Sequence, residues 1–71
     1  MYFPRLKDLR EDKDLKQTDV ANYLKIQQVV YFRYESGART IPVEHLIKLA
    51  DLYDTSTDYI LGRTDNPERI K

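Results

Sequence analysis

The chain has 71 residues, enough for one small domain and too few for two. It contains no cysteine and a single histidine, His45, so disulfide bridges are excluded and no metal site is expected. Its 12 basic and 12 acidic side chains cancel, whereas many nucleic-acid-binding domains are strongly basic. The two signs are unevenly spread, because residues 1–40 hold eight basic and six acidic side chains and residues 41–71 hold four and six.

Enzymatic chemistry and membrane insertion both lack their usual sequence signals. There is no cysteine nucleophile, no second histidine and no glycine-rich phosphate loop, so we expect neither catalysis nor a cofactor. No apolar run is long enough for a signal peptide or a membrane span. We therefore expect a cytoplasmic protein with no membrane partner.

Apolar spacing and helix-capping residues predict five helices and no strand. In chain order, the first predicted helix begins at Pro4 and ends near 12–14, and the second spans 17–24. The third runs from Gln27 or Gln28 to Ser36, the fourth follows Pro42, and the fifth spans 57–61. The fourth helix is expected to bury four apolar residues spaced i, i+3, i+4 and i+7: Val43, Leu46, Ile47 and Ala50.

Several residues indicate where these helices begin and end. Gly37 and Gly62 supply the left-handed conformation that commonly ends a helix, and Asp54 is expected to close the fourth helix in the same way. Ser56 is a favourable N-cap for the fifth helix. The predicted domain thus ends at residue 62, and the polar segment 63–71 is expected to fray.

The segment LKQTDVANYLKIQQVVYFRYESG, residues 15–37, predicts two short helices separated by a tight turn at 25–26. On the second of these helices the buried stripe comprises Val30, Tyr31 and Tyr34, and the exposed stripe comprises Val29, Phe32 and Arg33. Two such helices form a helix-turn-helix, in which the second helix enters the major groove of DNA.

Five segments occur in an order and at a spacing that are typical of one protein family: RLKDLRED, LKQTDVANYL, YFRYESG, IPVEHLIKLADLY and STDYILG. Together they make the chain resemble the Cro and phage-repressor type of helix-turn-helix proteins, the Xre-like transcriptional regulators, over about residues 5–62. This resemblance implies a compact all-α domain of five helices that binds double-stranded operator DNA. It also implies a homodimer that reads two half-sites about 34–36 Å apart.

The resemblance also implies roles for individual positions. The positions that face bases are Gln27, Gln28, Val29, Phe32 and Arg33. The positions that contact phosphates are Gln17, Arg39 and Thr40. Arg10 and Glu35 match a pair that ties the first helix to the end of the recognition helix.

The chain departs from the family pattern at three positions. Lys25 replaces the usual Gly or Asn at a turn residue with positive φ, which should cost about 1 kcal/mol. Lys16 replaces a capping Ser or Thr and leaves Asp19 as half of a capping box, while Gln27 replaces a better N-cap. Both lysines stand where a phosphate would be attracted, so Lys25 is added to the phosphate-contacting residues.

Each polar candidate on the third helix has a plainer interpretation. Gln28 is either solvated helix surface or a reader of adenine N6 and N7. Arg33 is suited to guanine O6 and N7, to a phosphate, or to a surface salt bridge. For both residues, we favour DNA contact.

The exposed apolar pair Val29 and Phe32 leaves two functions open. Both side chains can pack on thymine methyl groups, which favours a sequence-specific transcriptional regulator, and we expect a repressor. Two exposed apolar groups on one face also suit a protein partner. The alternative function is therefore a protein-interaction module, such as an antitoxin or anti-repressor component.

Other residues are interpreted mainly as packing residues. Tyr59 and Ile60 are candidates for a dimer interface, although a monomer could bury them itself. Most of the six tyrosines are expected to pack between helices with their hydroxyls reaching water. His45 is expected at the boundary of the apolar face.

Overall fold

The structure, a computed structural model, describes residues 1–68. Within that range it contains five helices and no strand: α1 (Arg5–Asp12), α2 (Gln17–Leu24), α3 (Gln28–Ser36), α4 (Val43–Leu52) and α5 (Thr57–Leu61). The predicted all-α, five-helix fold is confirmed. None of these helices has the length and apolar character needed to cross a membrane.

The helix ends follow the predicted chemistry. Lys25, Gly37 and Gly62 have φ values of 58°, 86° and 79°, so each ends its helix in the left-handed region. Asp54 also has a positive φ, of 50°, just beyond α4. The Ser56 hydroxyl accepts a hydrogen bond from the backbone N–H of Tyr59 at 3.0 Å, which caps α5.

The core lies where all five helices meet. Its fully or nearly fully buried side chains are Leu6, Val20, Ala21, Leu24, Tyr31, Ile41, Leu46, Leu49, Ala50, Tyr53 and Ile60. The helices α2 and α3 pack against each other, and α5 packs against both α1 and α4. This arrangement leaves one face of α3 outside the core.

The predicted buried face of α4 is wrong at two positions. Val43 and Ile47 are 68% and 50% exposed, whereas Leu46, Leu49, Ala50 and Tyr53 are buried. At 100° per residue, the observed face is rotated by roughly 60° from the predicted one. Five apolar residues of the helix, Val43, Leu46, Ile47, Leu49 and Ala50, span an arc of about 160°, so the sequence offers two overlapping stripes. Packing against the core formed with the other helices selects one of them.

Burial in the single chain also corrects the expectations for three residues near the core. Tyr31 and Tyr53 are 0% and 5% exposed, so their hydroxyls lie inside the core and do not reach water. Ile60 is 1% exposed, so the monomer itself buries this candidate for a dimer interface. Tyr59 is half-buried beneath the guanidinium of Arg5, whose Cζ lies 4.0 Å from the ring centroid.

The segment that follows α5 is tied back to the helices. Arg5 donates hydrogen bonds to the carbonyl oxygens of Tyr59 at 2.8 Å and Thr64 at 2.6 Å, and it pairs with Asp65 at 2.8 Å. The Thr55 hydroxyl donates to the carbonyl oxygen of Pro67 at 2.6 Å. The expected fraying therefore does not hold for residues 64–67, and residues 69–71 lie outside the part that the structure describes.

Candidate nucleic-acid interface

The two faces of α3 differ sharply in exposure. Tyr31 and Glu35 are buried, and Val30 and Tyr34 are half-buried against the core. On the opposite side, Val29 and Phe32 are 46% and 49% exposed, and Gln28 and Arg33 are exposed beside them. The predicted division of α3 into a buried and an exposed stripe is found.

The exposed stripe combines apolar and hydrogen-bonding groups. Residues 29, 32 and 33 are three and four apart, so their side chains are neighbours on the helix surface. Gln27 and Gln28 stand at the amino end of α3, where a recognition helix first meets base edges. Such a surface offers donors, acceptors and methyl groups, which are the features that the major groove displays.

Gln28 does not project alone from the start of α3. Its Nε2 donates a hydrogen bond of 2.6 Å to the Oε1 of Gln17, the first residue of α2. The Nε2 of Gln17 in turn donates to Oε1 of Glu35 at 3.4 Å. Gln28 keeps one N–H and its carbonyl oxygen, which are the two groups needed to pair with adenine N7 and N6. This bond was not predicted from the sequence, in which its only signal is a glutamine at the first position of both α2 and α3.

Arg10 and Glu35 form a two-pronged ion pair between α1 and the end of α3. Arg10 Nε donates to Oε2 of Glu35 at 2.9 Å, and Nη2 donates to Oε1 at 2.8 Å. A third donor, Nη1, bonds the carbonyl oxygen of Leu15 at 2.9 Å. The side chains of Arg10 and Glu35 are 13% and 5% exposed, so the pair is largely removed from water.

The electrostatics of this pair favour both charged forms. Burial is the largest single influence on the Glu35 carboxyl and raises its pKa, but the hydrogen bonds that the carboxylate accepts, that from Arg10 first, and the positive charge of Arg10 together outweigh burial and hold that pKa below its ordinary value. The bond to Glu35 likewise raises the pKa of Arg10. Burial raises the pKa of Tyr31, and it raises the pKa of Tyr53 to about 12. Near neutral pH, the pair is therefore ionised and both phenols are neutral.

The loop after α3 presents the other predicted phosphate-contacting groups. Arg39 and Thr40 are exposed, and the backbone N–H of Arg39 bonds the carbonyl oxygen of Arg33 at 3.1 Å. Thr40 Oγ1 accepts a hydrogen bond of 2.9 Å from the ammonium group of Met1. Gly37 begins the loop with a positive φ, and a β-carbon there would lie 2.8 Å from the Cβ of Tyr2. Glycine is therefore needed both for the turn and for the approach of residue 2.

The charges are distributed unevenly over these elements. In α2, α3 and their flanking loops, the exposed basic side chains are Lys13, Lys16, Lys25, Arg33 and Arg39, and the exposed acidic ones are Asp14 and Asp19. In α4, α5 and the loop between them, the exposed acidic side chains are Glu44, Asp51, Asp54 and Asp58, and the exposed basic one is Lys48. The net charge of zero therefore conceals an excess of basic side chains in the helix-turn-helix region and of acidic ones in α4 and α5. In residues 1–68, no group of three or more potential metal-ligating side chains is clustered.

Comparison with known proteins agrees with this geometry. The family model described as Helix-turn-helix matches residues 6–60. The chain is 41% identical over 68 residues to the uncharacterized HTH-type transcriptional regulator YobD of Bacillus subtilis, covering 96% of this chain and 61% of the relative. It is 43% identical over 63 residues to the HTH-type transcriptional regulator AnsR of Bacillus subtilis, covering 89% of this chain and 54% of the relative.

A phage protein is also similar. The cryptic phage CTXphi transcriptional repressor RstR of Vibrio cholerae is 36% identical over 73 residues, covering 100% of this chain and 66% of the relative. No solved structure was found to match. The chain spans 54% to 66% of the lengths of these three relatives. It belongs to the helix-turn-helix family of transcriptional regulators.

Proposed function

We propose that this chain binds a specific DNA operator through α3 and represses transcription there. The observation that carries the proposal is the exposed stripe of α3, anchored at its amino end by the Gln28–Gln17 hydrogen bond and at its carboxyl end by the Arg10–Glu35 pair. A helix held at both ends presents its side chains in one orientation, and base recognition needs such preorganisation. The proposed location is the cytoplasm, where the proposed operator lies, and DNA binding requires no catalytic group or cofactor.

The contacts with DNA divide into reading and positioning. Gln27, Gln28, Val29, Phe32 and Arg33 meet base edges in the major groove. Gln17, Lys25, Arg39 and Thr40 contact phosphates on the two sides of that groove. Phosphate contacts set the register of the helix and supply affinity for any sequence, whereas base contacts supply specificity.

The operator-bound form in this proposal is a homodimer. A helix of nine residues is about 13 Å long, which covers roughly four base pairs at about 3.4 Å each. Four base pairs recur too often in a genome to define one site, so a second recognition helix is needed.

The contact between the two copies is proposed to use α4, where Val43 and Ile47 are the exposed apolar side chains. Exposed Glu44 and Lys48 flank them, one turn apart. Two α4 helices packed antiparallel across a two-fold axis would place Glu44 of one copy opposite Lys48 of the other. Changing Val43 and Ile47 to serine should therefore preserve half-site binding and weaken occupancy of the full operator.

Selection of bound sequences from a random pool of duplex DNA tests this function. We expect an enriched site with two-fold symmetry and half-sites about one helical turn apart. Binding to random duplex should fall steeply with salt, because each phosphate contact releases counterions. No enrichment, together with little salt-dependent binding, would contradict the proposal.

A second candidate function rests on the same stripe. Because Val29 and Phe32 are about half exposed, they also suit an apolar protein surface, as in an antitoxin or anti-repressor component. The flanking polar residues Gln28 and Arg33 favour DNA. The salt dependence of binding to random duplex separates the two, because an interaction module would show little binding at any salt concentration.

A further inference from the structure

A cleft of about 510 Å³ lies beside the exposed stripe of α3 and is assigned no role above. Its floor is the Arg10–Glu35 pair, and its walls include Tyr2, Lys7 and Phe32. It therefore lies between α1 and α3, with Phe32 belonging both to the cleft and to the stripe that faces bases.

The positive charge of the cleft comes from Lys7. Arg10 is neutralised by Glu35 at 2.8 Å, so the floor contributes no net charge. Lys7 is exposed and takes part in neither of the two ion pairs seen among residues 1–68. Tyr2 is 58% exposed, and the contact of its Cβ with Gly37 holds it beside the end of α3. An ammonium and a phenol are both donors to a phosphate oxygen.

The position of the cleft indicates that it faces a sugar-phosphate backbone and not the bases. A helix with its side chains is about 10–12 Å wide, and the major groove is about 12 Å wide, so a helix in the groove fills it. Surfaces at the flanks of the helix then face the sugar-phosphate backbones that border the groove. The cleft adjoins such a flank, since Phe32 of α3 and Gln17 of α2 both line it.

We infer that this cleft receives one backbone phosphate of the operator, held by the Lys7 ammonium and the Tyr2 hydroxyl. The inference rests on the proposed function, since it assumes that α3 occupies the major groove. It adds a positioning contact from α1 and the residues before it to the contacts from α2 and from the loop after α3. Lys7 contributes equally to the affinity for every sequence, because a phosphate carries no sequence information.

The test compares Lys7→Ala with Arg63→Ala, which removes an exposed basic side chain just beyond α5, a position with no proposed part in DNA binding or dimerisation. Binding of each full chain to the selected operator and to random duplex is measured across a range of salt concentrations. For Lys7→Ala we expect the slope of log affinity against log salt to shrink by about 0.9, and affinity for both duplexes to fall about eightfold at 0.1 M salt. Arg63→Ala should retain the parent slope.

Two further variants separate charge from packing. Lys7→Arg should keep the parent slope, because it retains the positive charge. Tyr2→Phe keeps the ring against Gly37 and removes only the hydroxyl, so affinity should fall a few-fold with the slope unchanged. Thermal unfolding of each variant establishes that the fold is intact.

Specific outcomes would overturn the inference. If Lys7→Ala binds with the parent slope while the parent binds DNA in a salt-dependent way, the cleft holds no phosphate and the proposed function stands. An equal loss of slope in Arg63→Ala would show a general charge effect and would also overturn the inference. If the parent shows no salt-dependent binding, the proposed function fails and the inference fails with it.

Discussion

The Nε2 of Gln28 lies 2.6 Å from the Oε1 of Gln17, which joins the first residue of α3 to the first residue of α2. The two residues were assigned different tasks, base reading for Gln28 and phosphate contact for Gln17. Their hydrogen bond makes those tasks interdependent, because Gln17 sets the direction in which the Gln28 amide points. Glu35 accepts a hydrogen bond of 3.4 Å from Gln17, so the orientation of the Gln28 amide depends in turn on the buried Arg10–Glu35 pair.

The first prediction concerns this coupling. We expect a double-mutant cycle of Gln17→Ala and Gln28→Ala to show a coupling free energy of about 0.5–3 kcal/mol in operator binding. Gln17→Ala should also relax base preference at the position that Gln28 reads. The matched control is a cycle of Gln17→Ala with Gln27→Ala, because no hydrogen bond joins those side chains in residues 1–68. Additive losses in the first cycle would contradict the coupling.

The second prediction concerns the ion pair and fold stability. Glu35→Ala leaves the guanidinium of Arg10 largely buried without its partner, which should lower the free energy of unfolding by about 3–5 kcal/mol. The urea midpoint measures the change. Glu11→Ala, which removes an exposed carboxylate from α1, should move the midpoint little. A Glu35→Ala midpoint equal to that of the parent would show that the pair adds nothing to stability.

The third prediction concerns the loss of fold stability at low pH. Since the pKa of Glu35 is lower in the folded chain than in the unfolded chain, the stability it contributes is complete above the unfolded value of about 4.3. That stability is lost as pH falls from there through the folded pKa, because the unfolded chain takes up the proton first. Unfolding free energies from pH 7 to pH 3 should therefore decline more steeply in the parent than in Glu35→Gln. Parallel curves would contradict the lowered pKa.

The fourth prediction separates positioning from reading. Arg39→Ala should weaken binding to every duplex alike and reduce the salt slope by about one, because Arg39 is assigned to a phosphate. Arg33→Ala should instead relax the preference at one base pair, at a cost of about 1–3 kcal/mol. Both variants are measured on the selected operator and on random duplex. If the two variants lose affinity for both duplexes in equal proportion, this division of roles is wrong.

The fifth prediction decides between the two functions. Val29 and Phe32 are about half exposed, so changing both to serine should leave the unfolding midpoint nearly unchanged. In the DNA-binding function the double variant loses about 1–3 kcal/mol of operator affinity, because contact with thymine methyl groups is lost. In the protein-interaction function it keeps any weak DNA binding and loses its protein complex. Operator binding as tight as that of the parent would exclude the first function.

Local chemistry in the sequence was enough to predict the helix ends. Ser56, Gly37 and Gly62 act within one turn of their own positions, so no distant residue is needed to interpret them. The exposure of Val29 and Phe32 was predictable for a similar reason. Tyr31 and Glu35 occupy the other stripe of the same helix, and helical geometry then directs residues 29 and 32 outward.

By itself, then, the sequence determined the positions of the helices and the two faces of α3, because these depend on spacing and capping within short segments. Tertiary structure alone decided which stripe of α4 is buried, since two overlapping apolar stripes compete and only packing against the rest of the core selects between them. It also decided the tie of Arg5 to Thr64 and Asp65, and the Gln28–Gln17 bond. These contacts join residues 11 to 60 positions apart, and no local pattern encodes the distance between side chains that meet only after the helices pack.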